Sequence, residues 1–156
     1  MQDIQYLQAD VHELDDIRPL WEQLNALHIS CSPHFASRFE RYRFDDRKKE
    51  LQRLAHAGEL LLLLARKTGQ GQCVGYCVSS IHGRRGEIES IFVNESYRHQ
   101  GVGHALMVRS LEWLNEREVN DIMVGVVAGN ESAWNFYARY GFMPHCTSLL
   151  RKMDAK

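Results

Sequence analysis

The sequence predicts a mixed α/β fold, a mostly antiparallel sheet flanked by helices, in one domain spanning residues 1–156. Three observations carry this. Three apolar runs between Glu59 and Val93 are separated only by glycine-containing turns, as in an antiparallel meander. Helical periodicity brackets them, over residues 14–27 before and from Gly101 onward after. The composition, 156 residues with 44% hydrophobic and 25% charged side chains, suits one compact core and is too short for two ordinary domains.

In chain order, Ile4 and Tyr6 alternate with polar neighbours as a short first strand would. Leu14, Ile17, Leu20, Trp21, Leu24 and Leu27 recur every three or four residues and make one helical face, despite Pro19. Residues 30–46 are polar, aromatic and arginine-rich. They read as a loop or broken helix leading to a second helix near residues 47–57, and such an irregular segment could line an acceptor site. Strands follow over residues 59–66, 73–82 and 87–93. The next helix places Gly103, Leu106, Met107, Ser110, Leu111 and Leu114 on one face. A buried strand at 122–127, a short helix at 131–139 and a closing pair of strands over 142–153 around Pro144 complete the order.

Nineteen Lys and Arg against twenty Asp and Glu give a net charge of -1, so neither nucleic acid nor an anionic membrane surface is expected as partner. The longest apolar run, residues 60–65, is strand length and far short of a membrane span. The first ten residues lack the basic start and long apolar segment of a secretory signal, which predicts a cytoplasmic address. Cys31, Cys73, Cys77 and Cys146 would remain thiols there. Cys73 and Cys77, four apart on a strand, are expected on the same side. Their spacing is not a zinc pattern and the eight histidines are scattered, so no metal is expected.

The most informative stretch is Arg98-His99-Gln100-Gly101-Val102-Gly103, between an apolar strand and an amphipathic helix. Two glycines allow close backbone approach, and a helix start offers free amides and a positive dipole end, a combination that binds phosphate oxygens. Glycine at a turn into a helix also has a purely conformational reading. The second constellation runs from Asn130 to Phe142: Asn130 can cap a helix, Ala133, Phe136, Tyr137 and Tyr140 share a face, and Gly141 fits the position past its end.

Together these motifs resemble the GCN5-related N-acetyltransferase (GNAT) superfamily, whose core reads strand, R/Q-x-x-G-x-G/A, helix, strand, then N-x-x-A-x-x-F-Y-x-x-x-G-F. The resemblance covers about residues 59–153. It implies a sheet with a central V-shaped splay between two strands, and acetyl-CoA as co-substrate. By the same resemblance, the amides from Gln100 through Gly101, Val102 and Gly103 to His104 would hold the pyrophosphate, with Arg98 and His99 leading into the turn. The edge formed by Ile91, Phe92 and Val93 would pair with the pantetheine amides. Asn130 would contact that arm and Ala133 would leave room for it.

Acyl transfer needs a neutral amine, so a base or water relay is required. Glu89 lies just before the proposed cofactor edge, where similar enzymes place a carboxylate; Glu87, expected on the same side of a regular strand, ranks second. A departing thiolate benefits from a nearby donor, and Tyr137 matches the family tyrosine in that place. No cysteine sits in a nucleophile signature, which favours direct attack in a ternary complex.

The resulting expectation is an N-acetyltransferase acting on a small-molecule or peptide amine. A protein lysine or N-terminal acetyltransferase and a non-catalytic acyl-CoA sensor or interaction module are the alternatives. Arg38, Arg41, Arg43 and Arg47 could engage an acidic acceptor, but a charge run of this kind is usually a solvated face. Apolar edges of the meander and closing strands suggest a homodimer.

Overall fold

A computed structural model describes residues 3–153. Five strands form one sheet in the spatial order β1 (Ile4–Ala9), β2 (Glu59–Lys67), β3 (Cys73–His82), β4 (Arg85–Val93) and β5 (Asp121–Val124). The first three pairings are antiparallel, and β4 with β5 is parallel. A parallel neighbour requires a crossover, which the helix Val102–Glu116 supplies between them.

Three helices precede that crossover, α1 (Arg18–Cys31), α2 (Ala36–Arg41) and α3 (Phe44–Ala57), so the crossover is α4 and the short helix Trp134–Ala138 is α5. β2 shows how they share the sheet. Leu61, Leu63 and Ala65 join the core that contains α4, whereas Leu62 and Leu64 join a second core containing α1 and α3. With both faces covered, the run has no need of polar alternation.

α1 starts later than the periodicity predicts. Asp10 accepts from the His12 N–H at 2.8 Å while its own N–H donates to Glu13 at 2.8 Å. This capping box opens a tight 3-10 turn, Val11–Ile17, that carries Leu14 and Ile17 into the core. Pro19 then stands in the first turn of α1, where its missing N–H removes no hydrogen bond, so it starts the helix instead of kinking it. The segment expected to be irregular holds α2. α3 begins at Phe44 rather than near Arg47, with the Arg43 N–H capped by Asp46 at 2.9 Å.

Three expectations are corrected. The strand expected over 122–127 ends at Val124. No closing strands form over 142–153, where Met143, Leu149, Leu150 and Met153 are exposed. β5 is only four residues long, Pro144 lacks a donor, and the adjacent Leu149 and Leu150 cannot both face one core. Cys73 and Cys77 lie on opposite faces, because Arg66 pairs with Cys73 but Ala65 with Gly75. The extra residue, Val74, turns Cys73 toward the α1–α3 side. No helix among the described residues is long and apolar enough to cross a membrane.

Candidate active site

β4 carries the irregularity that opens the site. Val78 pairs with Ser90 and Ser79 with Ile88, which leaves Glu89 bulged out of the ladder. On the other edge, the parallel ladder to β5 runs from Arg85 and Asp121 to Ile88 and Val124 and stops there. Past that point the outer edge of β4 has no strand partner among the described residues, and Gly125, Val126 and Val127 line a facing wall. A cleft of about 780 Å3 occupies the opening.

One end of the cleft meets the start of α4. His99 (φ 59) and Gly101 (φ 81) both take left-handed backbone. A Cβ at Gly101 would meet nothing within 4 Å, so conformation and not crowding calls for glycine there. Ala105 N–H bonds to the Gly101 carbonyl at 2.9 Å, which leaves the amides of Val102, Gly103 and His104 ahead of the helical ladder. Arg98 folds back, its Nε donating to the Val93 carbonyl at 3.0 Å and its guanidinium lying 5.1 Å from the Phe92 ring centre.

All the predicted cofactor-side residues line the cleft except Gln100, whose side chain donates to the Ser96 carbonyl at 3.0 Å, and Val102, which is buried in the α4 core. Asn130 is not a side-chain cap, contrary to expectation. Its carbonyl accepts from the Ala133 N–H at 3.1 Å while its side chain makes no capping bond. The loop before it is fixed by Gly129 (φ 97), where a Cβ would lie 2.0 Å from the Cys31 carbonyl oxygen. Only glycine lets this loop rest on the end of α1.

Tyr137 reaches the cleft from α5, braced edge-on by Phe136 at 5.4 Å and Phe142 at 6.0 Å. Its hydroxyl has no hydrogen-bond partner among the described residues, and burial pushes its pKa up to about 12. The Tyr140 hydroxyl, by contrast, lies 2.8 Å from His104 Nδ1 and ties α5 to the first turn of α4.

Glu89 sits on the cleft wall with its side chain only 8% exposed. Ser80 Oγ donates to one carboxylate oxygen at 2.6 Å and Arg47 Nη2 to the other at 3.0 Å. Arg47 also donates to the Glu89 carbonyl at 2.8 Å and to Glu50 at 3.2 Å. Glu87 does not line the cleft; burial, and then the charge of Glu89, hold its carboxyl above the ordinary value.

The half of the cleft away from α4 was not legible as a motif. Trp21, Leu24 and His28 come from α1 and Phe39 from α2, with Tyr42 between α2 and α3. Arg38, Arg41 and Arg43 are exposed, so of the four arginines Arg47 alone lines the cleft. The acid at Glu50, one helical step beyond Arg47, was the available signal that Arg47 is anchored and not merely solvated.

The Acetyltransferase (GNAT) family model matches residues 21–142. The chain belongs to the GNAT acetyltransferase family. Streptothricin acetyltransferase A of Bacillus subtilis (strain 168) is 39% identical over 56 residues, 36% of this GNAT chain and 32% of that protein. The match therefore spans about a third of that relative's length. Two solved structures share the fold of this GNAT chain. The aminoglycoside N-acetyltransferase AAC(6')-Iy in complex with CoA has a TM-score of 0.70 at 16% identity, covering 99% of this chain and 97% of that one. The PaiA N-acetyltransferase from Thermoplasma acidophilum in complex with coenzyme A has a TM-score of 0.70 at 17% identity, covering 94% and 93%.

Proposed function

We propose that the chain transfers the acetyl group of acetyl-CoA to a primary amine by direct attack in a ternary complex. The observation that carries this is the end of the β4–β5 ladder at Ile88 and Val124, beside the bulged Glu89. It opens one continuous cleft from the free amides at the start of α4, past the unpaired edge of β4, to Glu89 and Tyr137. The fit to acetyl-CoA rests on those amides and on an edge with hydrogen-bonding groups to spare.

In this reading the α4 turn binds the pyrophosphate, the edge from Ile91 to Val93 pairs with the pantetheine arm, and Asn130 holds the arm from the opposite wall. An alkyl ammonium titrates near about 10, so the acceptor arrives mostly protonated. Glu89, directly or through a water, removes that proton. The amine nitrogen bonds to the thioester carbon, the carbon–sulfur bond breaks, the Tyr137 hydroxyl gives its proton to the departing sulfur, and the second proton of the amine nitrogen returns through water to the tyrosinate, leaving a neutral amide. Tyr137 suits that task because burial keeps its hydroxyl protonated well above neutral pH.

Calorimetric titration with CoA, paired with thiol release from acetyl-CoA in the presence of amines, tests the reading. Micromolar binding with amine-dependent release supports it; binding without release across a broad amine panel would make the chain an acyl-CoA sensor. The proposal extends to a homodimer, for which the bare outer edge of β5 and the exposed Met143, Leu149 and Leu150 speak. A monomeric mass by light scattering at micromolar concentration would reject it.

A further inference from the structure

The acceptor half of the cleft is lined mainly by apolar and aromatic side chains, and two of its polar side chains, Asn25 and Tyr42, donate to protein partners. Trp21, Leu24, Leu27, His28, Phe39 and Tyr42 form its walls. The Asn25 amide nitrogen donates to the carbonyls of Phe39 at 3.0 Å and Tyr42 at 3.3 Å, and the Tyr42 hydroxyl donates to Glu50. His28 packs against the Phe39 ring at 5.6 Å, and burial holds its pKa below the ordinary value, so it is neutral at pH 7. Across the whole cleft lining the described residues place three arginines, Arg47, Arg98 and Arg139, against one carboxylate, Glu89. That carboxylate is itself paired with Arg47 and Ser80.

We propose that the acceptor is a monoamine carried on an aromatic or bulky apolar body, of the arylalkylamine kind, and that acceptors with a second cationic group are selected against. The inference rests on the acetyltransferase reading and names its substrate class. An aromatic body fits because the walls offer rings and leucines whose burial against it removes apolar surface from water. A second ammonium entering this half would leave water without a free carboxylate among the described lining residues to meet it. Relatives named for aminoglycoside or streptothricin acetylation therefore do not define this chain's acceptor.

The test compares initial rates of thiol release at saturating acetyl-CoA with phenethylamine, 1,6-diaminohexane, spermidine and kanamycin. The expected result is a kcat/KM for phenethylamine at least about tenfold above each polycation. Leu27, 40% exposed at the rim, is a position where a carboxylate can be added without opening the core. Leu27→Glu is expected to narrow the phenethylamine-to-diamine ratio several-fold. A diamine or aminoglycoside used as well as phenethylamine overturns the acceptor class while leaving acetyl transfer standing, and so does a ratio that Leu27→Glu does not move. No release with any amine overturns the acceptor class as well; acetyl-CoA affinity measured on the same protein then separates a sensor, which binds, from failure of the donor-site reading, which does not.

Discussion

Arg47 holds Glu89 at two points, donating to its main-chain carbonyl at 2.8 Å and to its carboxylate at 3.0 Å, so that α3 grips the residue bulged out of β4. Arg47 is 15% and Glu89 8% exposed at the side chain, which places the pair largely out of water. The bulge that opens the cleft and the carboxylate that faces it are therefore fixed by a residue of α3.

Removing one member of this pair strands the other. Arg47→Met is expected to cost about 3 kcal/mol of stability in denaturant melts, because it leaves a buried carboxylate without its cation. The double variant Arg47→Met/Glu89→Gln should regain more than half of that loss. Arg47→Lys keeps the charge but lacks the planar fork, and should be intermediate in stability. Independent, additive losses would contradict the pairing.

Tyr137→Phe keeps the ring and its contacts with Phe136 and Phe142 while deleting a hydroxyl that supports no other residue. Turnover is expected to fall about 10²-fold or more, with CoA affinity and melting temperature nearly unchanged. Because burial pushes this hydroxyl up to about 12, the wild-type rate should show no loss from Tyr137 ionisation up to pH 10. Full activity in the Phe variant would return Tyr137 to packing alone.

The two glycines of the α4 turn should respond differently. Gly101 has φ 81, so Gly101→Val carries left-handed strain of about 1–2 kcal/mol whether or not CoA is present. At Gly103 a Cβ meets the Phe136 ring at an ordinary 3.5 Å, so Gly103→Ala should fold normally. Gly103→Val adds bulk beside the free amides and is expected to weaken CoA binding tenfold or more, read by calorimetry on a protein with wild-type circular dichroism. Unchanged affinity would remove the turn from the phosphate site.

How far the sequence shows this molecule depends on the range of the interactions involved. The glycine turn, the Asn130-to-Phe142 run and the order of strands are local patterns, and all could be read from neighbouring residues. The bulge at Glu89 could not, because it exists only in the pairing of β4 with β3. The nearby Glu50 marked Arg47 as anchored, but its pairing with Glu89 could not be read, since that partner lies 42 positions away. The closing strands were misread because the apolar residues of this segment, Phe142, Met143, Leu149, Leu150 and Met153, suggest burial whether or not an edge is there to receive them. The periodicity carries one helix from Leu14 through Pro19, whereas the capping box at Asp10 opens a 3-10 turn first, so that the α-helix starts at Arg18 and the proline falls in its first turn.

Glu87 provides a stability test separate from catalysis. Its carboxyl is held above the ordinary 4.5 by burial and by the charge of Glu89, so the folded state prefers it protonated. The cost of ionising it is absent below pH 4.5 and appears as pH rises through the folded value. Glu87→Gln should therefore raise the melting temperature at pH 7 and lose that advantage toward pH 4. A gain independent of pH would contradict the assignment.

The central claim is that Glu89 accepts the amine's proton in a cleft built for acyl transfer. The most direct measurement is kcat/KM for an active amine against pH, at saturating acetyl-CoA, for wild type and Glu89→Gln. Gln keeps the shape, its single oxygen can accept from Arg47 while its NH2 donates to Ser80 Oγ, and it cannot take the proton. The expected result is a rate deficit of about 10²-fold or more near pH 7 that shrinks as pH approaches the amine's own pKa, where solvent supplies the neutral form. A deficit that stays constant across that range, or none at all, would contradict it.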